Sequence, residues 1–182
     1  MSQSNIDGLR YPVGRFARDP SPDKTKRAEW IDQVRALPEA VRAAVIDLDD
    51  IQLDTPYRED GWTVRQVVHH LADSHLNAYI RMRLALTEAE PTIKPYDQAA
   101  WADLADAASS PPSESIDLLD GLHRRWVRLL RSLSDANLAR GFLHPETGRI
   151  MSLDHTLQIY AWHGRHHVAH ITGLRSRLGW GP

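Results

Sequence analysis

Four of the ten histidines of this chain lie in one segment, Tyr160-Ala161-Trp162-His163-Gly164-Arg165-His166-His167-Val168-Ala169-His170. The apolar residues in and around this segment recur with the period of an α-helix. Residues four apart lie on the same face of a helix, with β-carbons roughly 5–6 Å apart, so His163 and His167 form a pair of neighbouring imidazoles. Two imidazoles at this spacing are what a divalent transition metal binds from a single helix.

The apolar face of this helix selects His163 and His167 as the inward pair. At about 100° per residue, His167 lies at the edge of that face and His163 beside it. His170 lies further round, and His166 furthest of all. Gly164 fits a close contact with another helix, because glycine inside a helix costs roughly 1 kcal/mol and usually has a packing reason.

A third ligand would come from a second histidine-rich segment, which contains His69, His70 and His75. Thr63 and Gln66 form the pattern of a capping box, so a helix is predicted to begin here. The apolar stripe of this helix has His75 at its centre, His70 at one margin and His69 on the far side. Periodicity favours His75, but a bundle helix can be buried over a wide arc, and His70 stays open.

The remaining segments complete a helical fold. Ser21-Pro22 predicts a helix start, and Pro38 is expected to kink that helix or restart it as a second segment. Ser113 is predicted to begin another helix, and Ser152 to cap the last one. The segment 90–112 is irregular, and 141–150 is predicted as a small hairpin around a Pro-x-x-Gly turn.

We therefore predict an all-α protein, an up-down four-helix bundle with a long crossover loop and a small hairpin before the last helix. Residues 1–182 are expected to form a single domain, with residues 1–19 as an N-terminal arm lying on it. The net charge of −2 argues against a nucleic-acid partner. The chain has no cysteine, so any metal must be bound by nitrogen and oxygen ligands. No apolar run approaches a membrane span, and a cytoplasmic location is the default expectation.

Two sets of motifs resemble the DinB/YfiT superfamily, and most closely its YfiT branch. They are Trp62-Thr-Val-Arg-Gln-Val-Val-His69-His70-Leu-Ala-Asp-Ser-His75 and Tyr160-x-Trp162-His163-x-x-x-His167-x-x-His170-Ile. Shorter matches extend the resemblance over nearly the whole chain: Arg10-Tyr11-Pro-Val-Gly, Asp54-Thr-Pro-Tyr, Lys94-Pro-Tyr96-Asp97 and Phe142-x-His144-Pro145.

The resemblance implies a four-helix bundle with a three-histidine metal site, one divalent ion per subunit, zinc most often and nickel as the alternative. It implies His70, His163 and His167 as the metal ligands, so His70 is adopted over His75. It also implies a metal-dependent hydrolase acting on a small molecule, and a homodimer.

Three imidazoles leave at least one coordination position open, which is typical of a catalytic site. Such an ion lowers the pKa of bound water towards about 7 or polarises a substrate carbonyl. No Glu follows the first histidine of the pair, so the general base common in zinc peptidases is missing. Tyr96, Asp97 and Arg165 are the candidate catalytic groups, and His75 is expected to be either a partner that orients a ligand or a core residue.

Two alternatives stay open beside the hydrolase. The superfamily includes thiol-dependent S-transferases, so a transferase using bacillithiol or mycothiol is one of them. The other is a non-catalytic dimeric bundle whose metal only stabilises the fold. Three histidines plus water favour catalysis, whereas a fourth protein ligand favours a structural site.

Overall fold

The computed structural model describes residues 3–181, and within these residues it contains nine helices and one two-stranded sheet. In chain order the elements are α1 (Gln3–Arg10), α2 (Lys24–Val45), α3 (Asp50–Leu53), α4 (Val64–Thr87), α5 (Gln98–Ala102), α6 (Ala105–Ser109), α7 (Pro112–Arg131), α8 (Asp135–Ala139), β1 (Gly141–His144), β2 (Arg149–Ser152) and α9 (Leu153–Leu178). None of the helices in this part of the chain combines the length and apolar character needed to cross a membrane.

The four long helices α2, α4, α7 and α9 form a four-helix bundle, as predicted. Helix α2 packs against α7 and α9, and helix α4 packs against the same two partners. Going round the bundle, the order is therefore α2, α9, α4, α7, with α2 and α4 on one diagonal.

Helices α2 and α9 run in the same direction. Near their first turns, the Arg27 guanidinium bonds the Asp154 carboxylate at 2.7 Å. Near their last turns, the Arg175 guanidinium donates to the Ala44 carbonyl oxygen at 3.0 Å. Because the first turns contact each other and the last turns contact each other, the two helices are parallel.

Helices α4 and α7 are also parallel. The His69 ring lies 2.7 Å from the Ser115 hydroxyl near the start of both helices. Further along, the Trp126 indole N–H donates to Met82 Sδ at 3.0 Å. The four-helix bundle is thus as predicted, but its up-down course is not, because neighbours in an up-down bundle are antiparallel and this bundle has two parallel pairs. Parallel neighbours require the chain to return along the bundle, which accounts for the long crossover segment between α4 and α7.

The crossover segment, residues 88–111, contains the short helices α5 and α6 and is tied to the hairpin. The predicted hairpin is confirmed: β1 pairs antiparallel with β2, with Phe142 opposite Met151. The Ile93 N–H donates to the Leu143 carbonyl at 3.1 Å, and the Leu143 N–H donates to the Pro91 carbonyl at 2.9 Å. These bonds fix the crossover segment against the hairpin.

Helix α2 begins later than predicted and passes through Pro38 without a restart. Its cap is Asp23, whose carboxylate accepts from the Lys26 N–H, instead of Ser21. Proline has no N–H to give to the carbonyl of Val34, four residues earlier. The His123 ring of α7 takes that place, with Nδ1 2.6 Å from the Val34 oxygen.

The start of α4 is as predicted, with a complete capping box. The Thr63 hydroxyl accepts from the Gln66 N–H at 3.1 Å, and the Gln66 side chain accepts from the Thr63 N–H at 3.0 Å. The close helix contact expected at Gly164 is also present: a β-carbon there would lie 2.8 Å from Leu37 Cδ2. The missing side chain therefore lets α9 approach α2.

The N-terminal arm crosses α9, and its backbone bonds to the side chains of Gln158, Trp162 and His170. Gln158 exchanges two hydrogen bonds with the backbone of Asp19, at 2.9 and 3.1 Å. The Trp162 indole N–H donates to the Gly14 carbonyl at 3.1 Å. Within the arm, α1 is helical although its sequence has no sustained period.

The apolar core has two parts. One surrounds Trp126 and includes Met82 and Leu157; the other includes Leu71 and Ile171. On α9 the four histidines from His163 to His170 fall between the residues of the two clusters, and on α4 His75 does so, while His70 lies at the edge of the second cluster. The bundle therefore carries a layer of imidazoles between two apolar layers.

Candidate metal centre

Three histidines from two helices converge in the imidazole layer. Because α4 and α9 run antiparallel, His70 lies opposite His163, and His167 follows one turn along α9. One nitrogen from each of the three rings lies within 4.8 Å of the others. The ring centroids are 4.5 to 5.3 Å apart. We call His70, His163 and His167 the first trio.

The spacing inside the first trio fits a shared metal ion. The Nε2 atoms of His70 and His163 are 3.3 Å apart. Two imidazole nitrogens bound to a tetrahedral zinc ion at about 2.0–2.1 Å are separated by roughly 3.3–3.4 Å. The separation of the two nitrogens is therefore the one expected for two ligands of a single tetrahedral ion.

Periodicity favoured His75 as the third ligand, but its side chain lies behind the first trio. Its Nε2 is 3.3 Å from Nδ1 of His163, on the side of that ring facing away from His70. The side chain is fully buried, stacked on His123 and in edge contact with Trp126. His75 is thus placed to orient the His163 ring.

His69 points away from the first trio, and other groups engage both of its ring nitrogens. Nδ1 is 2.7 Å from the Ser115 hydroxyl, and Nε2 is 3.1 Å from the Ser110 carbonyl oxygen. These partners belong to α7 and the segment before it. His69 therefore packs α4 against α7.

Burial keeps the first trio uncharged at neutral pH. It lowers the pKa of His70 to about 4, with a further contribution from nearby His166. Burial, together with the neighbouring imidazoles, holds the pKa of His163 and of His167 well below the usual value. Neutral imidazoles present the lone pairs that a metal ion requires.

His166 and His170 form a second group with His167, although periodicity placed His166 furthest from the apolar face. All three side chains are buried, and one nitrogen from each lies within 4.8 Å of the others. The N-terminal arm explains the burial of His166, because Tyr11 of the arm lies against its ring. We call His166, His167 and His170 the second trio.

An open cleft of about 560 Å³ adjoins the first trio. Its lining comprises Trp62, Pro95, Tyr96, Asp97, Gln98, Ala99 and Glu146. The Trp62 ring lines the cleft and also contacts the first trio, since its centroid is 4.5 Å from that of His70. The cleft is therefore linked to the first trio through the Trp62 ring, which contacts His70.

The structure brings two of the three candidate catalytic groups to this cleft. Burial, and then the neighbouring Tyr160, raise the pKa of Tyr96 to about 12. Its hydroxyl therefore stays protonated and has a proton to donate. The Asp97 carboxylate lines the cleft but also caps α5, accepting from the N–H groups of Ala99 and Ala100 at 3.0 Å.

Arg165 lies elsewhere. It lines an apolar groove between α2 and α9 with residues such as Ala36 and Val168. Its Nε donates to the Ala161 carbonyl one turn earlier, at 3.3 Å. The structure does not bring Arg165 to the first trio.

Two cleft residues escaped the sequence analysis. Trp62 directly precedes the capping residue Thr63, a position that predicts packing against its own helix. This position does not predict the contact between Trp62 and His70. Glu146 lies in the hairpin turn, and only the packing of the hairpin against the crossover segment brings it to the cleft. Neither position has a local pattern that predicts a site.

The fold and the site define a class: a four-helix bundle protein with two histidine trios that could hold a divalent metal ion. The sequence model of the DinB superfamily matches residues 33–171. This chain belongs to the DinB superfamily.

Curated relatives match almost from end to end. YfiT of Bacillus subtilis, named as a candidate metal-dependent hydrolase, is 51% identical over 172 residues, covering 94% of this chain and 97% of its own. A relative from Oceanobacillus iheyensis with the same kind of name is 52% identical over 171 residues, covering 94% of this chain and 98% of its own.

Two solved structures share the fold. That of Bacillus subtilis YfiT, described as having an unusual four-helix bundle topology, aligns with a TM-score of 0.93 at 50% identity, over 96% of this chain and 99% of its own. TT2238, a four-helix bundle protein, aligns with a TM-score of 0.55 at 21% identity, over 82% of this chain and 98% of its own. The second likeness concerns the fold alone.

Proposed function

We propose that this chain is a metal-dependent hydrolase that binds one divalent ion through His70, His163 and His167. The observation that carries the proposal is the convergence of three neutral imidazoles from two helices, with the Nε2 atoms of His70 and His163 3.3 Å apart. The names of the relatives support the same activity.

A divalent ion held by three imidazoles acts as a Lewis acid that activates water or polarises a carbonyl group. Around it, Trp62 provides an apolar wall for a small substrate. The Tyr96 hydroxyl, protonated across the physiological pH range, donates a hydrogen bond to a substrate oxygen. The carboxylates of Asp97 and Glu146 line the cleft and are the candidate proton acceptors.

Zinc and nickel are the metals proposed, because imidazole ligands suit both. The homodimer and the cytoplasmic location stay predictions; light scattering coupled to gel filtration tests the first, and fractionation of cells expressing the chain tests the second.

The test combines hydrolysis assays with the visible spectrum of the Co²⁺-substituted protein. His70→Ala and His163→Ala should each abolish turnover of an ester and amide panel and change the Co²⁺ bands, because each removes a ligand. His69→Ala is the matched control, since it deletes the neighbouring imidazole outside the trio. It should keep both the bands and the turnover.

Unchanged Co²⁺ bands in His70→Ala and His163→Ala would contradict the ligand set. The same assays with and without a low-molecular-weight thiol separate the activities. Turnover of an electrophile only with bacillithiol or mycothiol would replace the hydrolase with an S-transferase. A metal-loaded protein inactive in both arms would be a non-catalytic bundle.

A further inference from the structure

We propose that the second trio, His166, His167 and His170, forms an alternative position for a divalent transition metal ion beneath the N-terminal arm. This proposal rests on the geometry of the trio and does not depend on the hydrolase activity. The two positions share His167 and lie next to each other on α9.

The second trio matches the first in spacing. Its ring centroids are 4.3 Å apart for His166 and His170, 5.0 Å for His166 and His167, and 5.3 Å for His167 and His170. Three imidazoles on one tetrahedral ion have centroids roughly 5 Å apart, given a metal–nitrogen distance of about 2.0–2.1 Å. A small rearrangement of the rings would thus place three nitrogens on one ion.

The second trio also has three ring nitrogens in need of a partner. The Nδ1 atoms of His166, His167 and His170 are buried and make no hydrogen bond within residues 3–181. His170 Nε2 lies 3.3 Å from the Arg10 carbonyl oxygen, which can only accept. The proton is therefore on Nε2, and Nδ1 carries a lone pair.

With all three Nδ1 atoms as acceptors, a metal ion satisfies them better than a water molecule does. Water has two hydrogens to donate, whereas a divalent transition metal accepts three or four imidazole lone pairs. The exposed fractions of His166, His167 and His170 are only 8%, 8% and 3%. Unpaired polar atoms buried this deeply are unusual in native proteins and call for an explanation.

Aromatic rings enclose the second trio. Trp162 stacks on His166 with centroids 4.4 Å apart, and Tyr57 stacks on His170 at 3.9 Å. Both trios consist of imidazoles alone, so no carboxylate within them offsets the repulsion between two dications. An ion therefore occupies one position or the other, with His167 as a ligand in both.

The decisive experiment removes the first position and retains the second. The His70→Ala/His163→Ala double variant should still bind one Co²⁺ ion per chain, measured by elemental analysis and titration, with visible bands different from those of the wild type. Adding His170→Ala should abolish this binding. Adding His155→Ala, on the same helix but outside both trios, should leave the ion bound.

A folded double variant that binds no Co²⁺ would overturn the proposal. The proposal would also be overturned if the double variant still bound an ion after both His166 and His170 were replaced by Ala. Far-UV circular dichroism checks helix content, and adding His166→Ala in place of His170→Ala provides a second route if the first triple variant unfolds. In the wild-type background, His166→Ala/His170→Ala should keep one ion at the first position, and loss of that ion would also overturn the proposal, because the two positions would then not be alternatives.

Discussion

At the scale of single residues, His75 shows how a buried imidazole can serve a site without belonging to it. If His163 binds a metal through Nε2, its proton resides on Nδ1 and is donated to His75 Nε2, 3.3 Å away. His75 can accept because burial, reinforced by nearby His123, holds its pKa well below the usual value and keeps the ring neutral. A ligand whose second ring nitrogen donates to such an acceptor is held in one orientation and one tautomer.

We expect His75→Phe to weaken metal binding by about 10–100-fold, the usual effect of removing a hydrogen-bond partner of a ligand. Phenylalanine keeps the ring contacts with His123 and Trp126 but cannot accept the His163 proton. Competition against a chromophoric chelator measures the change. His75→Gln, which restores an acceptor, should recover part of the affinity, and equal affinity in wild type and His75→Phe would show that the contact has no orienting role.

At the scale of helices, α2 continues through Pro38 because α7 supplies the missing donor. Proline at position 38 has no N–H to donate to the Val34 carbonyl. His123 Nδ1 lies 2.6 Å from that oxygen instead. A buried carbonyl left without a donor costs about 1–3 kcal/mol. The bond therefore couples the continuity of one helix to the packing of its neighbour.

This coupling predicts a non-additive pair of substitutions. His123→Phe should lower the free energy of unfolding by about 1–3 kcal/mol when Pro38 is present, because the Val34 carbonyl loses its donor. In a Pro38→Ala background the restored N–H can bond that carbonyl, so the same substitution should cost less. Urea unfolding of the four proteins in this double-mutant cycle gives the coupling free energy, and simple additivity would contradict the explanation.

At the scale of the whole molecule, folding buries many imidazoles in their neutral form. Burial lowers the pKa of His70, His123 and His166 to about 4 and that of His170 to about 3. An unfolded histidine titrates near 6.5. Below pH 6.5 the unfolded chain therefore binds more protons than the folded chain, and stability falls as the pH falls.

The metal-free protein should lose stability between pH 7 and pH 5, with each such histidine contributing up to about 2 kcal/mol at pH 5. Urea unfolding in the presence of a chelator measures the loss. Between pH 7 and pH 8 these groups are neutral in both states and should contribute no slope. His123→Phe should reduce the slope below pH 6.5 by up to one proton, and a flat profile from pH 7 to pH 5 would contradict the burial argument.

Local patterns determined much of this protein. The capping box at Thr63, the helical period around Tyr160 and the turn at 145–148 each depend on residues a few positions apart, and the structure has the corresponding elements. Four amphipathic helices and one long connection sufficed to predict the bundle. Spacing and the apolar face of the last helix together also singled out His163 and His167, because residues four apart share a face whatever packs against it.

Only the tertiary structure decided how those faces were used. Periodicity ranked His75 above His70 and placed His166 outermost, since it describes one helix and no neighbour. The antiparallel approach of α4 and α9 put His70 opposite His163, and the arm around Tyr11 covered His166. Because α4 and α7 are parallel, the crossover segment returns along the bundle and packs against the hairpin. This packing places Glu146 of the hairpin turn in the cleft. These outcomes depend on contacts between residues far apart in the chain, and no local repeat encodes them.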